Sequence, residues 1–152
     1  MGWNAPRIFY EKWFGHPRLL SWRGPIENTR QAKFHKVAMY KFALCFENNA
    51  SAPGYISEKI IDSFCARCVP VYYGCKEVDD LIPRDAWIDM RDFRNFDELG
   101  AFLNNIDEAT YNQYIAAIDR FMQSDQFEYF SSDHFCRVIA ERFGLPEAQK
   151  GG

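Results

Sequence analysis

A chain of 152 residues is enough for one domain, and at that size roughly 70% of the unfolded surface can be buried without a disulfide or metal staple. Hydrophobic residues make up 47% and charged residues 26%, which excludes a disordered chain, and a net charge of −3 argues against a nucleic-acid-binding surface, so no nucleic acid is expected as a partner. Aromatic content is high at 17%, with 14 Phe, which implies a heavy core, a sticky face, or both.

Residues 1–36 read as an irregular basic and aromatic N-terminal flank, interrupted by Pro6, Pro17 and Pro25. The opening Met1–Arg7 lacks the apolar core of a signal peptide. No apolar run reaches the ~18 residues of a membrane span. From Tyr40 the pattern becomes regular. Tyr40–Phe46 is strand-like, Glu47–Gly54 is a turn-rich loop, and Ser57 is a suitable N-cap for the helix that follows. Ile60, Ile61, Phe64, Cys65 and Cys68 then form the apolar stripe of a half-buried helix. Val69–Tyr73 is a second strand and Trp87–Met90 a short third. Phe96–Ile106 is a helix, and residues 108–123 and 132–143 are two more, the last capped by Gly144 and stopped by Pro146. Residues 37–146 form the folded unit and 147–152 a tail. This order of apolar strands and helices predicts an α/β fold with a Rossmann-like parallel sheet and C-terminal helices.

In such a sheet, ligands sit beyond the carboxyl ends of the strands. That places the Glu47–Ser57 loop at the site by topology alone. The first turn of the following helix offers unpaired N–H groups and the positive end of a dipole, which suits an anion. Lys59 stands in that turn, where a cation costs about 0.3–1 kcal/mol by itself. A bound phosphate would turn that cost into a gain. Glu58, about 100° round the helix, points elsewhere, as a ribose-hydroxyl acceptor would. The competing reading is a solvated Glu–Lys pair on an exposed helix end.

Three ordered blocks carry a resemblance: Tyr40-Lys41-Phe42-x-Leu44-x-Phe46-Glu47-Asn48, Gly54-Tyr55-Ile56-Ser57-Glu58-Lys59-Ile60, and Val69-Pro70-Val71-Tyr72-Tyr73-Gly74. With Ile82-Pro83, Trp87-Ile88-Asp89 and Asp92-Phe93, they resemble the donor-binding lobe of the α-1,3/1,4-fucosyltransferases, glycosyltransferase family 10, over Tyr40 to Phe102. The resemblance implies the donor-binding half of a GT-B glycosyltransferase and an inverting transfer of fucose from GDP-fucose to a sugar hydroxyl of a glycan. It implies no cofactor beyond the donor substrate GDP-fucose. It assigns the ribose to Glu58, the diphosphate to Lys59, and the lining of the donor pocket to Asn48 and Tyr55. The family's further diphosphate-contacting arginine lies upstream of the matching strand. Arg23 and Arg30 are the residues available there, and Arg30 is taken into the donor set.

The resemblance also implies an N-terminal acceptor lobe that supplies the catalytic base. Only 39 residues precede Tyr40, so that lobe is expected as a missing partner and the catalytic residues stay unassigned. The isolated chain is expected to transfer no fucose, with Glu27, Glu47 and Glu77 the first carboxylates to test if it does. The alternative function is a non-catalytic nucleotide-sugar-binding or interaction domain. The resemblance places a bacterial chain in the cytoplasm or peripheral to the membrane, and a eukaryotic one on the lumenal side of the Golgi membrane, acting in protein or lipid glycosylation.

Other signals have plainer readings. Five cysteines, four of them in or near apolar runs, read as reduced and buried thiols, and favour a reducing compartment. Cys65-Ala66-Arg67-Cys68 could serve thiol redox chemistry, but its place on the apolar stripe favours packing. Glu77–Asp80 reads as a solvated turn or helix start, and no metal site is expected. Asn49-Ala50-Ser51 fits a glycosylation acceptor by chance. Phe121, Phe127, Tyr129, Phe130, Phe135 and Phe143 are expected to form core between the terminal helices.

Overall fold

The near-continuous apolar run Val69–Tyr73 forms the central strand, because only a strand covered on both faces can bury Val69, Pro70, Val71 and Tyr72 together. The computed structural model describes residues 30–145. Its elements run α1 (Arg30–Val37), β1 (Phe42–Phe46), α2 (Glu58–Cys65), β2 (Val69–Tyr73), α3 (Val78–Leu81), β3 (Ile88–Asp89), α4 (Phe96–Asn105), α5 (Glu108–Met122) and α6 (Ser132–Phe143). Short 3₁₀ turns lie at Arg84–Ala86, Met90–Asp92 and Asp125–Phe130. The sheet order is β1-β2-β3, all parallel, with Phe42 opposite Val69, Phe46 opposite Tyr73, and Val71 opposite Ile88. Parallel pairing requires crossovers, and α2 supplies the one between β1 and β2.

α2 lays Ile60 and Phe64, both fully buried, against the sheet, and α5 adds Ala117, Ile118 and Phe121. Phe64 meets Phe121 edge-on with ring centroids 5.8 Å apart, and Tyr72 meets Trp87 likewise at 5.6 Å. Each such pair adds about 0.5–1.5 kcal/mol to the burial itself. Asn95, Asp107 and Ser131 cap α4, α5 and α6 through side-chain bonds to the third residue on. Gly144, at φ 62°, closes α6.

Several expectations need correction. The flank expected to be irregular through residue 36 contains α1 from Arg30 onward. Lys33 on α1 pairs with the buried Asp62 of α2, so a tertiary ion pair anchors a helix whose own sequence is weakly amphipathic. The thiols do not share one environment. Cys45, Cys68 and Cys75 are buried, whereas Cys65 and Cys136 are exposed. The reason for the split between Cys65 and Cys68 is local. α2 ends at Cys65, and Arg67 turns the chain through the left-handed region at φ 53°. Cys68 then hydrogen-bonds back to the Ser63 carbonyl at 3.0 Å and enters the core on the far side of the turn.

The C-terminal aromatic group also divides. Phe121, Phe127 and Phe130 pack on one another with centroids 5.6–6.3 Å apart. Tyr129, Phe135 and Phe143 are 59%, 66% and 70% exposed. The amphipathic pattern specifies an apolar face on α6, and the described residues do not cover it.

Candidate functional site

β1 ends at Phe46, and the chain loops through residues 47–57 before entering α2. This strand–loop–helix junction holds Asn48, Tyr55, Glu58 and Lys59, with a carboxylate at its base. Glu47 continues the ladder past the strand end, its N–H donating to the Tyr73 carbonyl at 2.8 Å. Its side chain is wholly buried. Oε1 accepts the Ser57 backbone N–H at 2.7 Å and Oε2 accepts the Ser57 hydroxyl at 2.7 Å. Ser57 has the extended backbone of an N-cap, but its hydroxyl makes no capping bond to the helix and turns to Glu47 instead. Close packing makes room for this. A Cβ on Gly74 would lie 2.8 Å from Glu47 Cγ and 2.2 Å from the Tyr72 hydroxyl, so only glycine fits there.

Lys59 reaches back from the first turn of α2 to the end of β1. Its ammonium donates to the Phe46 carbonyl at 2.8 Å, to Glu47 Oε2 at 3.2 Å and to Asn48 Oδ1 at 3.2 Å. An ammonium has three protons, and each has an acceptor. The cation's place at the positive end of a helix therefore has a compensation that helix rules alone do not anticipate: the buried Glu47 carboxylate lies against it. The side chain stays 28% exposed, so it remains within reach of solvent at the carboxyl edge of the sheet.

Asn48 and Lys59 are thus in direct contact. Tyr55 is 41% exposed on the loop. Glu58 leaves the helix on another side, its carboxylate 66% exposed and 3.9 Å from Lys33 of α1. Arg30 opens α1 in the backbone, its side chain falling outside the described residues, as do Arg23 and Glu27. Of the carboxylates considered as a base, Glu47 is consumed by Ser57 and Lys59 and has no exposed side-chain surface. Glu77 is exposed, and backbone N–H groups of its own residue and of Gly54 hold its carboxyl below the ordinary range.

The exposed Asn49–Ser51 segment forms a local turn, the Ser51 hydroxyl donating to Asn49 Oδ1 at 2.9 Å. Among the described residues no cluster of His, Cys, Asp and Glu is arranged to hold a metal ion. None of the described helices is long and apolar enough to cross a membrane. A cleft of about 430 Å³ opens elsewhere, between the Asp125–Phe130 turn and α6, lined by Glu128, Tyr129, His134, Arg137 and Glu141. Its Arg137 is already paired with Glu128 at 2.7 Å.

Known proteins resemble this chain in sequence and fold. The fold is that of the GT-B fucosyltransferases: an α1,3-fucosyltransferase crystallised with GDP superposes with a TM-score of 0.50 at 32% identity, over 55% of this chain and 25% of that one. An alpha-(1,3)-fucosyltransferase of Helicobacter pylori is 40% identical over 79 residues, 49% of this chain and 16% of that protein. Alpha-(1,3)-fucosyltransferase 7 of Bos taurus is 36% identical over 118 residues, 74% of this chain and 33% of its own length. The family described as glycosyltransferase family 10 (fucosyltransferase), C-terminal part, matches residues 13–143, and the chain belongs to it. The match extends on both sides of the Tyr40–Phe102 stretch that the motifs mark. The chain spans at most a third of the length of these relatives.

Proposed function

We propose that this chain is the donor-binding part of a fucosyltransferase and holds GDP-fucose at the carboxyl edge of its sheet. The observation that carries this reading is the partly exposed Lys59 ammonium, fixed at the end of β1 in the strand–loop–helix junction. Lys59 faces the diphosphate and Glu58 the ribose. Asn48 and Tyr55 line the pocket, and Arg30 is the upstream arginine for the diphosphate. In fucose transfer the leaving group is a nucleoside diphosphate. A preset cation at its oxygens stabilises the charge that develops as the sugar–phosphate bond breaks. The reaction is an inverting transfer to a sugar hydroxyl of a glycan. The base that deprotonates that hydroxyl belongs to the remaining length of a family member, as does the acceptor-binding lobe. The solved relative with GDP supports the nucleotide.

Because the chain covers only 16–33% of these relatives, a second reading keeps the same pocket without turnover, as a nucleotide-sugar-binding domain. Titration of the labelled chain with GDP, followed by NMR, tests the shared part of both. The resonances of Tyr55, Glu58 and Lys59 should move. Shifts confined to residues 121–143, around the second cleft, would overturn the assignment.

A further inference from the structure

We propose that Glu47 is a positioning residue for diphosphate recognition, a buried post that presets Lys59 and the start of α2; the proposal rests on the donor-site reading above. A lysine side chain has a long flexible stem, and fixing it costs rotamer entropy. Here the cost is met by bonds within the fold itself. Glu47 cannot swing away, because its amide is tied to the Tyr73 carbonyl and its carboxylate is tied to Ser57 through both backbone and hydroxyl. Gly74 and Tyr72 wall it in from β2. Oε2 then stands 3.2 Å from the Lys59 ammonium.

The three acceptors on Lys59 are not equivalent. The Phe46 carbonyl belongs to the strand and Glu47 is wholly buried, whereas Asn48 is exposed. A diphosphate oxygen can take the place of Asn48 without disturbing the other two. The ammonium then meets the ligand already aimed, which is how preorganisation raises affinity. Glu47 itself touches no ligand. It acts on the ligand through Lys59, with Ser57 as its anchor, and its side chain has no exposed surface from which to meet an acceptor hydroxyl.

The test is calorimetric titration of the 152-residue chain with GDP and with guanosine, which lacks the phosphates. Glu47→Gln keeps an acceptor for Ser57 but removes the charge that holds Lys59. It should weaken GDP binding about tenfold and leave guanosine unchanged. In a Lys59→Ala background, Glu47→Gln should add no further loss of GDP affinity, because the residue it acts through is gone. Should Glu47→Gln not fold, Ser57→Ala removes one anchor of the carboxylate without touching it. It should weaken GDP about twofold to threefold, again sparing guanosine. Equal losses for GDP and guanosine would mark a purely structural role and overturn the proposal. So would unchanged GDP binding, or tighter binding that made Glu47 a competitor for Lys59. A parent chain that binds neither ligand would overturn the donor-site reading itself, and the proposal with it.

Discussion

Glu47 and Ser57, ten residues apart in sequence, are joined by a two-point bond in which one carboxylate accepts both the backbone N–H and the hydroxyl of the same serine, each at 2.7 Å. That bond closes the loop between β1 and α2 and brings a carboxylate to the start of the helix. Lys59 is held against the same carboxylate from inside the helix. The energetics of the junction therefore follow from a three-residue network rather than from a helix dipole acting on a lone cation.

The consequence for Lys59→Ala is a change of sign in stability. Removing a cation from a helix N-terminus alone would be neutral or slightly stabilising. Here it leaves a buried carboxylate without its counter-charge, and unfolding free energy should fall by about 1–3 kcal/mol. GDP affinity should fall with it by about 1.5–3 kcal/mol, the scale of a hydrogen bond to a charged group, with little effect on guanosine. Glu58→Ala should weaken both ligands, as a ribose contact requires. Denaturant unfolding and calorimetry on the two variants check these outcomes, and a more stable Lys59→Ala chain would contradict the network.

Gly74→Ala should destabilise the fold by about 1–3 kcal/mol through overpacking. Its Cβ would fall within 2.4 Å of two atoms of the buried Tyr72 ring system and 2.8 Å from Glu47 Cγ. The same substitution should lower GDP affinity, because Glu47 must shift along with the Tyr72 ring to admit the methyl group. Thermal melts and GDP titration together separate this from a simple loss of folded protein.

Acid should act through exposed carboxylates at turns and caps. Glu77, Glu98 and Asp107 are held below their ordinary range: Glu77 chiefly by backbone N–H groups, Glu98 by the backbone and side chain of Arg94, and Asp107 by Thr110. Folded values lower than unfolded ones stabilise the chain above the unfolded values, and that stability is lost as pH falls through the folded ones. The melting temperature should therefore drop as pH is lowered below about 4.5. Asp107→Asn keeps the cap acceptor and should flatten part of that dependence. An unchanged acid profile in that variant would remove Asp107 from the account.

The two halves of the C-terminal aromatic group should respond oppositely to truncation. Phe121→Ala removes a buried ring from contact with Phe64, Phe127 and Phe130, and should cost about 3–5 kcal/mol. Phe143→Ala, at a position 70% exposed, should stay within about 0.5 kcal/mol of the parent. Urea denaturation of the two variants makes the comparison.

The frame was legible wherever local chemistry decides it. The bounds of β2 and α6 follow from an apolar run and from Ser131 and Gly144, whose cap and left-handed turn are local events. Asn95 and Asp107 cap α4 and α5 by equally local bonds, though the expected ranges of those helices came without them. Lys59 stood out because it breaks a helix rule. Glu47 did not, because its partners lie ten and twelve residues away and its burial depends on β2 and Gly74. Only the run Glu47-Asn48 at a strand end before a loop hinted at it. α1 was missed for a similar reason: the contact that anchors it, Lys33 with Asp62, spans 29 residues. The exposed face of α6 shows the converse limit, since periodicity specifies that an apolar stripe exists and not what lies against it.

The turn at Arg67 also sorts the thiols chemically. Burial pushes the Cys45 thiol up to about 11 and the Cys68 thiol to about 12, so neither forms appreciable thiolate at neutral pH. Cys65, three residues before Cys68, lies on the solvent side. An alkylating or fluorescent reagent should therefore mark Cys65 and Cys136 and spare the core. One of the two labels then sits at the last residue of α2, the helix that begins at the Glu58–Lys59 pair. With Cys136 replaced by serine, the chain would carry a single optical reporter on the helix whose other end holds the proposed diphosphate contact.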